Sequence, residues 1–191
     1  MEKIVTILTN YLVEKNAIIK EDYEIYKYGL LTGLEMVICI FICFLISLKI
    51  NMFGECILFF ILFFSVRSFV GGVHMKKFFS CLICSCIVVT LTLLTVREFP
   101  LPKIISMLLS FGEIVVIFFM SPVENVNRPV NEEESLVFLC RIRKILIGIF
   151  LLTVLFYFID FINYLSIVVY TLGVIIVSMA LGNLKNKISV Y

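Results

Sequence analysis

The stretch RSFVGGVHMKKFFSC, residues 67–81, holds the chain's one histidine, a Gly-Gly pair and a cysteine seven residues after the histidine. An imidazole beside a thiol is the pairing that acyl transfer needs: the base takes the proton and the thiolate attacks a carbonyl carbon. Seven residues of unbroken helix return a side chain to nearly the same face but raise it about 10.5 Å. A direct imidazole-to-sulfur hydrogen bond spans only about 3 to 3.5 Å. Gly71-Gly72 breaks a helix and permits a tight turn. The helix bearing Cys81 is therefore expected to begin after His74, with the turn folding the imidazole back toward the sulfur. An uninterrupted helix from 67 to 96 would argue against this. A thiolate is stabilised by nearby cations and by a helix N-terminus, and Cys81 has His74, Lys76, Lys77 and the first turn of its own helix close in sequence.

Other chemistries use the same residues. Cys81-Leu-Ile-Cys84 is a C-x-x-C, a spacing that serves thiol–disulfide exchange. His74, Cys81, Cys84 and Cys86 offer four metal-ligand types, but 84 and 86 point to opposite sides of a helix. No metal and no cofactor are expected. A non-enzymatic transporter or peptide-binding module would instead use His74 and Arg67 to hold a substrate. The plainest alternative makes His74 an interface residue and Cys81 a core thiol. Cys39, Cys43, Cys84 and Cys86 lie deep in apolar runs and read as small hydrophobes.

These residues must be positioned by an oily chain. Of 191 residues 62% are hydrophobic and 16% charged, with a mean hydropathy of +1.13. No single soluble core could hide that surface, so the chain reads as an all-α integral membrane protein. Six apolar runs are long enough to cross a bilayer: 30–48, 52–70, 78–96, 104–120, 145–161 and 164–182. The second is the weakest, because Arg67 falls in its last turn, and it is expected to be short, tilted or partly re-entrant. Residues 3–15 place Ile4, Leu8, Tyr11 and Leu12 on one face, the pattern of an amphipathic interfacial helix or of a helix packed on the protein's own surface. They lack the features of a cleaved leader. This divides the chain into an N-terminal segment, 1–29, and a polytopic membrane domain, 30–191.

Lys and Arg collect on the cytoplasmic side of short loops. With six spans, Lys49, Arg97 and Lys103 fall on one side and the other thirteen of the 16 basic residues on the opposite side. Both termini and residues 67–81 are therefore expected in the cytoplasm of the cell membrane, where reducing surroundings favour a catalytic thiol over a disulfide. That placement argues against the redox reading. The net charge of +2 gives no reason to expect nucleic acid.

Glu113 and Glu35 lie inside apolar runs, where carboxylates are costly and commonly paired or functional. Each is expected in the cytoplasmic half, as a partner of Arg67 or as a group orienting His74. In SPVENVNRPVNEEE, residues 121–134, turn formers precede Asn131 and Glu132–Glu134, a capped helix start with acids where the helix dipole favours them. Arg141, Arg143 and Lys144 read as interfacial anchors.

Two of these segments resemble the accessory gene regulator protein B (AgrB) family of quorum-sensing systems. Arg67, Gly72, His74 and Cys81 match an Arg-x4-Gly-x-His-x6-Cys pattern, and residues 122–129 match Pro-Val-Glu-x-x-Asn-Arg/Lys-Pro. The resemblance implies a membrane cysteine endopeptidase acting on a short AgrD-like propeptide. Cys81 would be the nucleophile and His74 its base, with Arg67 and Gly72 as supporting motif positions. An acyl thioester on Cys81 would then be captured by a side chain of the peptide, closing a thiolactone or lactone. Residues 30–191 become the peptidase domain, Glu124, Asn127, Arg128, Lys76 and Lys77 become candidates for substrate binding, and a homodimer is implied.

Overall fold

In hydrocarbon every backbone N–H and C=O must find its partner within the chain, and a helix does this segment by segment. The computed structural model describes residues 2–15, 17–70, 78–120 and 132–189, and among them there is no strand. Seven α-helices follow one another: α1 (Glu2–Glu14), α2 (Tyr23–Lys49), α3 (Phe53–Val70), α4 (Phe78–Glu98), α5 (Lys103–Phe119), α6 (Glu132–Ile159) and α7 (Ile162–Ser189), with one 3-10 turn at Lys20–Asp22 before α2. The all-α membrane architecture expected from the sequence is the one observed.

The helices overrun the apolar stretches that announced them. α2 starts at Tyr23 and α6 at Glu132, several residues before their apolar runs, because Glu24, Lys27 and the acids of 132–134 sit in first turns or on polar flanks that hydropathy discounts. α3, expected to be the weakest span, is the shortest and least hydropathic of the five candidate spans among the described residues. α3 continues through Arg67 to Val70, and with α2, α4, α6 and α7 it is long and apolar enough to cross a membrane. Shorter still is α5, whose 17 residues rise about 25 Å, the lower end of what a span needs. Arg67 does not end α3 because its charge is satisfied locally, as described below.

Sharp turns join α2 to α3 and α6 to α7. Each places one polar residue in the left-handed region, Asn51 at φ 55° and Asp160 at φ 62°, a conformation that Asn and Asp tolerate better than other side-chain-bearing residues. Asp160 is ion-paired to Lys103 of α5, whose ammonium also lies 4.3 Å from the Tyr157 ring centroid. The Ser166 hydroxyl accepts the Leu101 N–H at 2.9 Å. These contacts tie the start of α5 to the α6–α7 turn.

The helix at the centre is α7, which touches α3, α4, α5 and α6. Its Ile167, Val168, Leu172, Ile175 and Met179 are buried, and its Thr171 hydroxyl donates back to the Ile167 carbonyl at 2.6 Å, so the buried oxygen is not orphaned. Where α7 meets no neighbour as closely, α2 and α4 pack on each other and α1 packs on α2. Outward faces are apolar too: Phe41, Ile61, Leu91, Ile147 and Leu151 are all exposed. A belt of that kind suits lipid rather than water. α1 packs on α2 with Val5 and Thr9 buried, while Ile4, Leu8 and Tyr11 of the expected face are exposed.

Candidate functional site around Arg67 and Cys81

α3 is described to Val70 and α4 from Phe78; the expected break between His74 and Cys81 falls on residues 71–77, outside the described residues. Cys81 stands in the first turn of α4 and is half-buried.

Arg67 comes to the same place from the last turn of α3. One guanidinium N–H donates to the Ser178 hydroxyl of α7 at 2.6 Å, and the guanidinium carbon lies 5.2 Å from the Phe63 ring centroid. The Cys81 sulfur is within electrostatic reach of this cation. A planar guanidinium that stacks on a ring and donates along its edge is held in one orientation, which a flexible ammonium would not be. Three helices thus meet here: α3 supplies the cation, α7 its hydroxyl anchor and α4 the thiol.

The carboxylates do not join them. Glu113 was expected to pair with Arg67, yet no such ion pair forms, and its Oε2 is buried without a hydrogen-bond partner. The reason lies in the order of helices: α5 packs on α6 and α7, and α7 stands between it and α3. Glu113 instead faces Gly173 of α7, where a Cβ would lie 3.2 Å from its Oε1. Glu35 likewise makes no ion pair with Arg67, because it lies on the stripe of α2 that turns toward α4, and its Oε1 is also buried and unpartnered.

Gly72, His74, Lys76 and Lys77 lie outside the described residues, as do Glu124, Asn127 and Arg128 of the second motif. Ser178, 111 residues from Arg67, was not singled out from the sequence. Nothing in its local pattern distinguishes it from other small polar residues in a span.

The C-x-x-C does not bring two thiols to one face of the core, since Cys84 is exposed. Sulfurs gather elsewhere. Cys39 and Cys43 of α2 meet Cys86 of α4, all three within 4.8 Å of one another, with Cys39 and Cys86 at 3.9 Å. Sequence spacing could have paired Cys39 with Cys43, four residues apart, but not with Cys86.

Compared with known proteins, residues 5–181 match the family model described as accessory gene regulator B. A relative from Clostridium beijerinckii described as AgrB-like is 30% identical over 128 residues, a stretch covering 66% of this chain and 62% of that relative. No solved structure matches the chain.

Proposed function

Because the chain belongs to the accessory gene regulator B family, we propose that this multi-pass membrane protein serves quorum sensing as a cysteine endopeptidase and cyclising acyl transferase on a short, membrane-associated propeptide. The observation that carries the reading is the convergence of Cys81, at the N-terminal turn of α4, with the anchored guanidinium of Arg67. Both surround the sulfur with positive potential, and a thiolate is the nucleophile that acyl transfer needs.

In this reading His74 takes the proton from Cys81, and the thiolate attacks the carbonyl at the end of the future ring. The tetrahedral oxyanion is met by backbone N–H groups at the start of α4. Collapse breaks the C–N bond, and the imidazolium gives its proton to the departing amine of the C-terminal tail. The acyl group stays on Cys81 as a thioester. A thiol or hydroxyl of the same peptide then loses its proton to His74 and attacks; the C–S bond breaks, and the ring closes as Cys81 leaves. Exclusion of water during this second step keeps the thioester from hydrolysis, and a lipid-flanked site roofed by the propeptide provides that. Residues of the 122–129 motif, with Lys76 and Lys77, hold the peptide, and the active site and both termini face the cytoplasm. Two copies of the chain form the working unit.

Co-expression of the chain with its propeptide in a heterologous membrane tests the reading. Cys81→Ala should lower tail release by about 10³-fold or more with the protein still inserted, since removal of a nucleophile leaves only residual binding effects. Normal cleavage by Cys81→Ala would overturn it. A thiol–disulfide enzyme would lose activity with Cys84→Ala, whereas this peptidase should keep it.

A further inference from the structure

We propose that Cys39, Cys43 and Cys86 form a binding site for a thiophilic divalent cation of the zinc and cadmium class. The reasoning starts from distances. A tetrahedral cation about 2.3 Å from each of three sulfurs holds them about 3.8 Å apart. Here Cys39 and Cys86 lie 3.9 Å apart and all three sulfurs lie within 4.8 Å of one another, so small side-chain adjustments complete the triangle.

Glu35 adds an observation independent of the sulfurs, although its carboxylate stands outside their group. Glu35 precedes Cys39 by four residues and Cys43 by eight, so all three share one stripe of α2, and Cys39 is within electrostatic reach of its carboxyl. Glu35 Oε1 is buried and has no hydrogen-bond partner, a cost that burial of a polar oxygen exacts unless something meets it. Three sulfurs, completed by one oxygen ligand, make a set of the kind tetrahedral d¹⁰ ions accept. Binding replaces thiol protons with the ion, because the thiolate is the ligand, and the positive ion offsets the charge that the released protons leave behind.

The consequence is mechanical. α2 and α4 pack on one another, and α4 carries Cys81 five residues before Cys86. An ion bridging the two helices clips α4 in register and so steadies the turn that bears Cys81. Its effect on folding follows from linkage, because an ion bound only by the folded state stabilises that state.

The test uses the purified full chain in detergent, reduced with a phosphine, titrated with Cd²⁺ and followed by sulfur-to-cadmium charge-transfer absorption. One equivalent per chain is expected, with a rise in Tm. Cys39→Ser and Cys86→Ser should each weaken binding by about tenfold or more and abolish the Tm rise, while Cys84→Ser and Cys140→Ser leave both unchanged. Cadmium-edge X-ray absorption on the unmutated protein reports the ligands without relying on variants: three sulfurs and one oxygen are expected. Absence of stoichiometric binding, an oxygen-and-nitrogen shell, or equal affinity in Cys39→Ser and Cys86→Ser would overturn the assignment, leaving three buried thiols that fill space.

Discussion

At the scale of single residues, the decisive feature is that Arg67 is oriented by two unlike partners at once. The Ser178 hydroxyl fixes one N–H and the Phe63 ring fixes the plane. A lysine keeps the charge but loses both constraints. Arg67→Lys should therefore lower tail release by about tenfold while the protein remains folded, read by comparing cleavage with thermal stability on the same sample. Ser178→Ala should cost about 1 kcal/mol of stability through the lost hydrogen bond, with a smaller loss of cleavage than Arg67→Lys. If Arg67→Lys cleaves at the normal rate, orientation of the guanidinium has no part in the chemistry. The sequence displayed Arg67 through its motif spacing, but its anchor depends on α7 returning beside α3, and a contact across 111 residues leaves no local trace. The same holds for Cys86, whose partners Cys39 and Cys43 are 47 and 43 residues earlier on another helix.

At the scale of helices, legibility divides differently. Apolar runs located α2 to α7 well, because length and hydropathy are what the bilayer selects. Their starts were less legible where polar residues continue a helix beyond the apolar zone, as at Tyr23 and Glu132. Packing was not legible, since a lipid-facing and a core-facing leucine look alike in composition. The approach of α3 to α7 shows this. A Cβ at Gly54 would overlap the Tyr164 hydroxyl, so this glycine is what lets the two helices close. Gly54→Ala should destabilise the protein by about 1 to 3 kcal/mol, measured by thermal unfolding in detergent. Tyr164→Phe in the same chain removes the overlapping oxygen and should recover part of that loss. Failure of the second change to recover any stability would place the strain elsewhere.

At the scale of the whole molecule, six apolar helices, with α1 packed on α2, give a body in which the α3 and α4 ends bearing Arg67 and Cys81 lie together, and the proposed function sets those ends in the cytoplasm with both termini. Substituted-cysteine labelling in intact cells checks this. A cysteine placed at Asn51 or Asp160, in the two sharp turns, should react with a membrane-impermeant reagent from outside, whereas Cys81 should react only after the membrane is opened. Labelling of Cys81 from outside would reverse the orientation and with it the reducing surroundings that favour a free thiol. The expected orientation rests on the distribution of basic residues over the entire chain rather than on any one helix end.

The central claim is that Cys81 carries the acyl group between cleavage and ring closure. The most direct measurement reconstitutes the chain in liposomes with a propeptide whose ring-closing side chain has been replaced by alanine, so that the second step cannot proceed. Peptide mapping by mass spectrometry should then find the truncated peptide attached to Cys81 through a bond that hydroxylamine cleaves. Tail release with no adduct on Cys81, or an adduct on any other residue, would contradict the account.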